Sequence, residues 1–139
     1  MNIDSIERGI VLDHIRAGHS LDIYHALRLE ELPCSVAIIR NVKSGKMGKK
    51  DIIKIDDDID IDLEVLGFLD PGITVNIIEG GRITQKKHLA LPERVSGVIA
   101  CKNPRCITTQ EKGLEQIFIL RDPARRLYRC LYCDAERKQ

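Results

Sequence analysis

Four of the five cysteines form two short-spaced pairs in the last third of the chain, and their spacing is typical of a metal site. Cys101 and Cys106 are separated by four residues, Cys130 and Cys133 by two, and 23 residues lie between the pairs. Two such pairs can place four thiolates at the corners of a tetrahedron, the arrangement that Zn²⁺ favours in structural sites. Because four protein thiolates leave no open position for substrate water, we expect one structural zinc ion per chain.

Two disulfides, or free thiols, are the alternative for these cysteines. The chain has no apolar run of the ~18 residues that a membrane span needs, and its acidic first residues do not resemble a signal peptide. We therefore expect a cytoplasmic protein, in which thiols stay reduced and a cysteine cluster favours metal. The fifth cysteine, Cys34, lies in an apolar stretch and is expected to be a small core residue.

A second group of side chains in the first part of the chain could bind an anionic ligand. If strand ends bring them together, the lysines could serve a phosphate and the aspartate a sugar hydroxyl. Solvated surface residues are the alternative. The group consists of Asp13, His14, Lys50, Lys54 and Lys86. The sequence has no Walker loop and no Gly-x-Gly-x-x-Gly, and no nucleophile and base can be paired, so we do not expect an enzyme.

The elements that must position these residues follow from apolar patterning and from turn residues. Strands are predicted at 8–15, 34–42, 51–55, 73–79 and 82–89, and helices at 20–29 and 60–69. Ser20 is the expected N-cap of the first helix. The glycine-bearing basic stretch 43–50 is expected to be a long hairpin loop.

The order of these elements is strand, helix, strand, strand, helix, strand and one further strand. It predicts an α+β fold with a ferredoxin-like antiparallel sheet and two helices packed on one face. Aromatic residues make up only 4% of the chain and tryptophan is absent. The core is therefore expected to consist mostly of Ile, Leu and Val.

Composition changes near Leu91–Arg94, which predicts a first domain of residues 1–92 and a second of residues 93–139. The second domain is expected to be a small all-β, zinc-ribbon-like unit with strands near 114–120 and 127–129. Fewer than about 50 residues rarely build a self-sufficient core, so a metal is physically needed there.

Charge allows a second function to be considered. Residues 1–92 carry 12 basic and 15 acidic side chains, and residues 93–139 carry 10 basic and 6 acidic ones. A zinc-ribbon nucleic-acid-binding protein, with contacts from Arg105, Arg125 and Arg126, is therefore the alternative. The net charge of +1 and the lack of interleaved aromatic residues disfavour it.

Several segments resemble the regulatory chain of aspartate carbamoyltransferase, in order and across nearly the full length of the chain. They are residues 8–15, 44–55, 74–76 and 91–95, together with the cysteine spacing. The resemblance implies an allosteric domain that binds CTP or ATP, followed by a zinc domain that docks on the catalytic chain. It also implies a homodimer formed through the allosteric domains, no catalytic residues, and no membrane or nucleic-acid partner.

The resemblance also implies a set of nucleotide contacts. Lys86 and His14 would face the phosphates, and Lys54 and Asp13 the sugar and base. Neighbouring pocket positions would be Val11, Lys50, Asn76 and the backbone near Ile6.

Overall fold

Within the first ninety residues, five strands and two α-helices follow one another in the predicted order. A computed structural model describes residues 7–111 and 113–138, so Ile6 lies outside the described residues. The strands of this part are β1 (Arg8–Arg16), β2 (Val36–Ser44), β3 (Gly48–Ile55), β4 (Thr74–Glu79) and β5 (Arg82–His88). The helices are α1 (Ser20–Ala26), a 3₁₀ turn (Leu29–Glu31) and α2 (Leu63–Leu69).

The five strands form one antiparallel sheet in the order β2-β3-β1-β4-β5. The buried apolar residues of β1 and β3 pack with Ile23 of α1 and Leu66 of α2 in a single core; they are Ile10, Leu12, Ile15, Ile53 and Ile55. The two helices therefore cover one face of the sheet, as predicted. We call the opposite face the outer face. Alternation along β1 places Leu12 on the helix side and Val11 on the outer face.

The second part of the chain is a small β unit. Its elements are β6 (Arg94–Ser96), α3 (Ile107–Gln110), β7 (Ile117–Asp122), β8 (Leu127–Cys130) and β9 (Glu136–Lys138). The strands form an antiparallel sheet in the order β6-β7-β8-β9. Tyr128 is fully buried in this unit, and its hydroxyl donates to the carbonyl of Pro92 at 2.6 Å. Burial raises the pKa of this tyrosine, which keeps it neutral and able to donate.

The chain separates into two compact units, residues 1–90 and 91–139. The prediction of an α+β fold with an antiparallel sheet, followed by a small β domain, is confirmed. Within the first unit, α2 packs tightly on the segment after β5. The approach is so close that a Cβ on Gly67 would collide with the carbonyl oxygen of Ala90. Among the described residues, no helix is long and apolar enough to cross a membrane.

The prediction of a long hairpin loop at residues 43–50 is wrong. Strands β2 and β3 continue through it and pair as far as Ser44 and Gly48, which leaves a turn of residues 45–47. Gly48 has a φ of +79°, a conformation that lets a three-residue turn close a hairpin. The hydroxyl of Ser44 accepts the N–H of Met47 at 3.2 Å.

The N-terminal ends of both helices also differ from the prediction. Ser20 is not the N-cap of α1; His19 is, and it makes no side-chain cap. The capping group comes from β3 instead, since the buried carboxylate of Asp51 accepts the N–H groups of Gly18 at 3.1 Å and Ser20 at 3.4 Å. A cap supplied from 31 residues away leaves no local sequence signal.

The second helix begins at Leu63 rather than at Asp60. Asp62 caps it by accepting the N–H groups of Glu64 at 3.1 Å and Val65 at 3.2 Å. Cys34 precedes β2 and is not in a strand. It is half-buried and packs against the core of the first unit.

Candidate metal centre and outer sheet face

The four paired cysteines converge in the second unit. Their sulfur atoms all lie within 4.8 Å of one another. The Cys101 and Cys133 sulfurs are 3.5 Å apart, and those of Cys106 and Cys130 are 3.8 Å apart. A tetrahedral ion with metal–sulfur bonds of ~2.3 Å would hold its sulfurs about 3.8 Å apart, so the spacing fits a single such ion.

Tight backbone turns position these cysteines. In the first pair, the N–H of Cys106 donates to the carbonyl of Asn103 at 3.0 Å. In the second, the N–H of Asp134 donates to the carbonyl of Cys130 at 2.9 Å, and Asp134 has a φ of +63°. We call these turns the first knuckle (residues 101–106) and the second knuckle (residues 130–133).

Protonation of the sulfurs is uneven. Burial raises the pKa of the Cys101 thiol to about 12. Burial also acts to raise the pKa of Cys133, but hydrogen bonds from the Asn103 side chain and the N–H of Ala135 outweigh it and lower that pKa to about 6. All four sulfurs can therefore be thiolates together only with a cation among them, and a divalent metal supplies that charge.

The predicted ligand residues of the first unit gather on the outer face of the sheet. In the antiparallel register, Val11 lies opposite Lys54 on one side and Asn76 on the other, and Asn76 lies opposite Lys86. Directly opposed residues project from the same face, so these four form one row across β3, β1, β4 and β5. At about 4.8 Å per strand the row is about 14 Å long.

A bulge in β1 adds two more of the predicted residues to this face. The pairing of β1 with β3 shifts between Leu12 and Ile15, and His14 has a φ of +61°. The carboxylate of Asp13 accepts the N–H of His14 at 2.6 Å. The ring nitrogen Nδ1 of His14 lies 3.1 Å from the hydroxyl of Thr74, so the bulge keeps the imidazole at the outer face.

Lys50 completes the group, because its ammonium lies 2.9 Å from the Asp13 carboxylate. Burial acts to raise the pKa of Asp13, but the hydrogen bond from Lys50 and the N–H of His14 outweigh it and lower that pKa. Asp13 is therefore a charged acceptor at neutral pH. Seven of the eight predicted ligand residues are thus neighbours on one face, and Ile6 lies outside the described residues.

Sequence reasoning missed four residues that these two sites use. Thr74 is buried beside His14, and it could have been found because it lies two residues before Asn76 and so shares its face. Asn103, Thr108 and Gln116 surround the cysteines. Nothing in the spacing of the cysteines points to Thr108 or Gln116.

Two family models match the chain. The one described as aspartate carbamoyltransferase regulatory chain, allosteric domain, matches residues 1–90. The one described as aspartate carbamoyltransferase regulatory chain, metal binding domain, matches residues 93–139. The second match, to a metal binding domain, agrees with the four converging cysteines, which could hold one metal ion.

Curated relatives are similar over nearly the whole chain. The aspartate carbamoyltransferase regulatory chain of Bifidobacterium longum (strain NCC 2705) is 49% identical over 138 residues, covering 99% of each sequence. That of Clostridium tetani (strain Massachusetts / E88) is 52% identical over 135 residues, covering 96% of this chain and 94% of the relative. Of the two functions that the sequence left open, these matches favour the regulatory one. The chain belongs to the family of aspartate carbamoyltransferase regulatory chains, which are non-catalytic subunits.

Proposed function

We propose that this chain binds CTP and ATP on the outer face of its first domain and transmits their effect to an aspartate carbamoyltransferase catalytic chain, through a zinc domain that docks on that chain. The two domains would be residues 1–92 and 93–139, and the chains would pair through their allosteric domains in the cytoplasm. Aspartate carbamoyltransferase makes pyrimidine precursors, so CTP would act as an end-product signal.

The observation that carries the proposal is the row of Lys54, Val11, Asn76 and Lys86. Asn76 is 5% exposed, and its amide oxygen accepts no hydrogen bond from any described residue. Within the described chain, Lys54 and Lys86 form no salt bridge. A buried acceptor without a donor is costly, and a base or ribose that offers N–H or O–H groups would satisfy it. Lys86 would supply charge for the phosphates, and Lys54 would supply a donor to the sugar and base.

The rest of the outer face suits the other parts of a nucleotide. Asp13 stays ionised and can accept from a ribose hydroxyl or an exocyclic amine. His14 is oriented by Thr74 through Nδ1, which leaves Nε2 available to a phosphate oxygen. The carboxylate of Asp13 is already paired with Lys50, so a ligand would share this ion pair rather than meet a bare negative charge.

The metal is proposed to be zinc because four thiolates in a tetrahedral arrangement suit this ion. Its role would be structural. It would hold the two knuckles together, and with them three large apolar side chains that directly follow or lie between the ligands. These are Ile107, Leu131 and Tyr132, which are 46%, 47% and 42% exposed. Exposed apolar groups on a rigid turn are typical of a docking surface.

Regulation requires that the nucleotide bind one state of the assembly better than the other. A coupling free energy of about 1–3 kcal/mol is typical. CTP and ATP differ in the base, so a difference in their effects would arise at the base end of the row. The triphosphate end would be shared, and the two nucleotides are expected to compete.

Calorimetric titration of the full-length chain with CTP and with ATP tests the proposal. We expect saturable binding of both, with one displacing the other, and a loss of affinity in Lys54→Ala. Absence of binding by both nucleotides would refute the allosteric site, whereas the metal content of the same sample separately tests the zinc domain.

A further inference from the structure

Hydrogen bonds to the four metal-binding sulfurs come from two different sources. Backbone N–H groups in and beside the knuckles donate to the sulfurs of Cys101, Cys130 and Cys133, and the Asn103 side chain also donates to Cys133. At Cys106 the contact is with a side chain, the hydroxyl oxygen of Thr108, at 3.0 Å. Thr108 is 9% exposed, so little water competes for this hydroxyl.

The direction of this bond follows from the chemistry of the ligand. In the free chain either Cys106 or Thr108 could be the donor. A metal-bound cysteine is a thiolate without a proton, so the hydroxyl of Thr108 must then donate. Four thiolates around one divalent ion leave a net charge of −2, which donors in the second shell stabilise.

Gln116 connects Cys101, where the first knuckle begins, with Thr108, two residues after the knuckle ends. Its amide oxygen accepts the N–H of Cys101 at 3.0 Å, and its amide nitrogen lies 3.4 Å from the carbonyl oxygen of Thr108. It directly precedes β7, and its own carbonyl accepts the N–H of Gly97 at 2.8 Å. The sheet therefore braces the longer of the two knuckles through one side chain.

We propose that Thr108 and Gln116 are positioning residues for the metal, Thr108 by donating to the Cys106 thiolate and Gln116 by fixing the separation of Cys101 and Cys106. This inference rests on the proposed metal domain and adds to it two residues outside the cysteine pattern. Neither is a ligand, so both act on how firmly the ion is held.

Cobalt substitution of the full-length chain tests the role of Thr108. Loss of a hydrogen bond raises the energy of the thiolate electrons, so the sulfur-to-cobalt charge-transfer band of Thr108→Val should move to lower energy. Thr108→Ser keeps the hydroxyl and should restore the band. The neighbouring Thr109 donates to the carbonyl of Cys106 at 2.7 Å rather than to its sulfur, so Thr109→Val should leave the band in place.

Zinc release to a chromophoric chelator tests both residues. Second-shell losses typically cost about 10- to 100-fold in metal affinity, and we expect release to be faster by that order in Thr108→Val and in Gln116→Ala. Gln116→Glu retains the acceptor for Cys101 but loses the donor to Thr108, so its release rate should lie between those of wild type and Gln116→Ala.

Release rates within twofold of wild type, together with an unmoved band in Thr108→Val, would overturn the inference while leaving the metal site intact. Thr108→Ala, which adds no bulk, replaces the valine variant if that variant does not fold. A wild-type chain that binds neither zinc nor cobalt would instead refute the proposed function.

Discussion

Asn76 and Lys86 lie directly opposite one another on β4 and β5, and both side chains project from the outer face of the five-stranded sheet. The pair places an unsatisfied buried amide oxygen beside a cation that forms no salt bridge with any described residue. The unmet acceptor costs about 1–3 kcal/mol in the free chain. A ligand that brings both a donor and a negative charge would remove that cost.

Lys86→Ala should weaken CTP and ATP binding by about 10- to 100-fold, since a hydrogen bond to a charged group is worth about 1.5–3 kcal/mol. Lys87→Ala is the matched control, because Lys87 lies opposite the core residue Val75 and faces the helix side. Calorimetry on both variants checks this. Equal losses in the two variants would indicate a general charge effect and not a site.

Asn76→Leu should weaken nucleotide binding without destabilising the free chain. Leucine has the same branched shape as asparagine and removes an unsatisfied polar atom, a change that is often neutral or stabilising. Urea unfolding of this variant checks its stability, and nucleotide titration checks its affinity for CTP and ATP. A large loss of stability would mean that the Asn76 amide has a structural partner in the folded chain.

Asp51→Asn should destabilise the first unit at neutral pH by about 1.5–3 kcal/mol, because the fully buried carboxylate holds N–H groups of Gly18, Ser20 and Asn41. Burial acts to raise the pKa of Asp51, but the hydrogen bonds from Ser20, Asn41 and Gly18 outweigh it and lower that pKa.

The sign of the pH dependence follows. A lowered folded-state pKa stabilises the chain above the ordinary value of 3.8, and this stabilisation is lost as the pH falls through the folded-state pKa. The difference between wild type and Asp51→Asn should therefore be largest at pH 7 and shrink below pH 3.8. Asp57→Asn, at an exposed position, is the control and should change stability by less than about 0.5 kcal/mol. A gap that is constant with pH would contradict the assignment.

Removal of the metal by a chelator should unfold the second unit and spare the first. The second unit has a small core around Phe118 and Tyr128, whereas the first has its own larger core. Hydrogen exchange should show loss of protection in β6–β9 and unchanged protection in β1–β5. Added zinc should restore the protection of β6–β9. Persistent protection of β7 and β8 without metal would show that the unit does not depend on the ion.

The sequence predicted the order of the elements and the cysteine cluster because both rest on local signals. Apolar alternation at Ile10, Leu12, Ile53 and Ile55 marks the buried side of the sheet, and cysteine spacing marks a tetrahedral site. The outer-face residues, by contrast, were identified by resemblance. Surface lysines such as Lys54 and Lys86 look alike until strand register places them in one row.

The failures share a physical cause, which is tertiary contact between distant residues. The cap of α1 comes from Asp51 on another strand, and the bulge at His14 depends on a φ of +61° that an imidazole side chain does not signal. The tight turn after Ser44 depends on how far two strands pair. Gln116 falls near the start of the strand predicted at 114–120, and only its folded position shows that it links the two sides of the first knuckle.

Reconstitution with an aspartate carbamoyltransferase catalytic chain is the most direct test of the central claim. The measurement is catalytic activity of the purified complex against CTP and ATP concentration, with Lys86→Ala and a Cys106→Ser chain in parallel. The account predicts a stable complex whose activity responds to nucleotide, a response lost in Lys86→Ala with assembly intact, and no complex with Cys106→Ser. A wild-type chain that forms no complex, or a complex whose activity ignores both nucleotides, would contradict it.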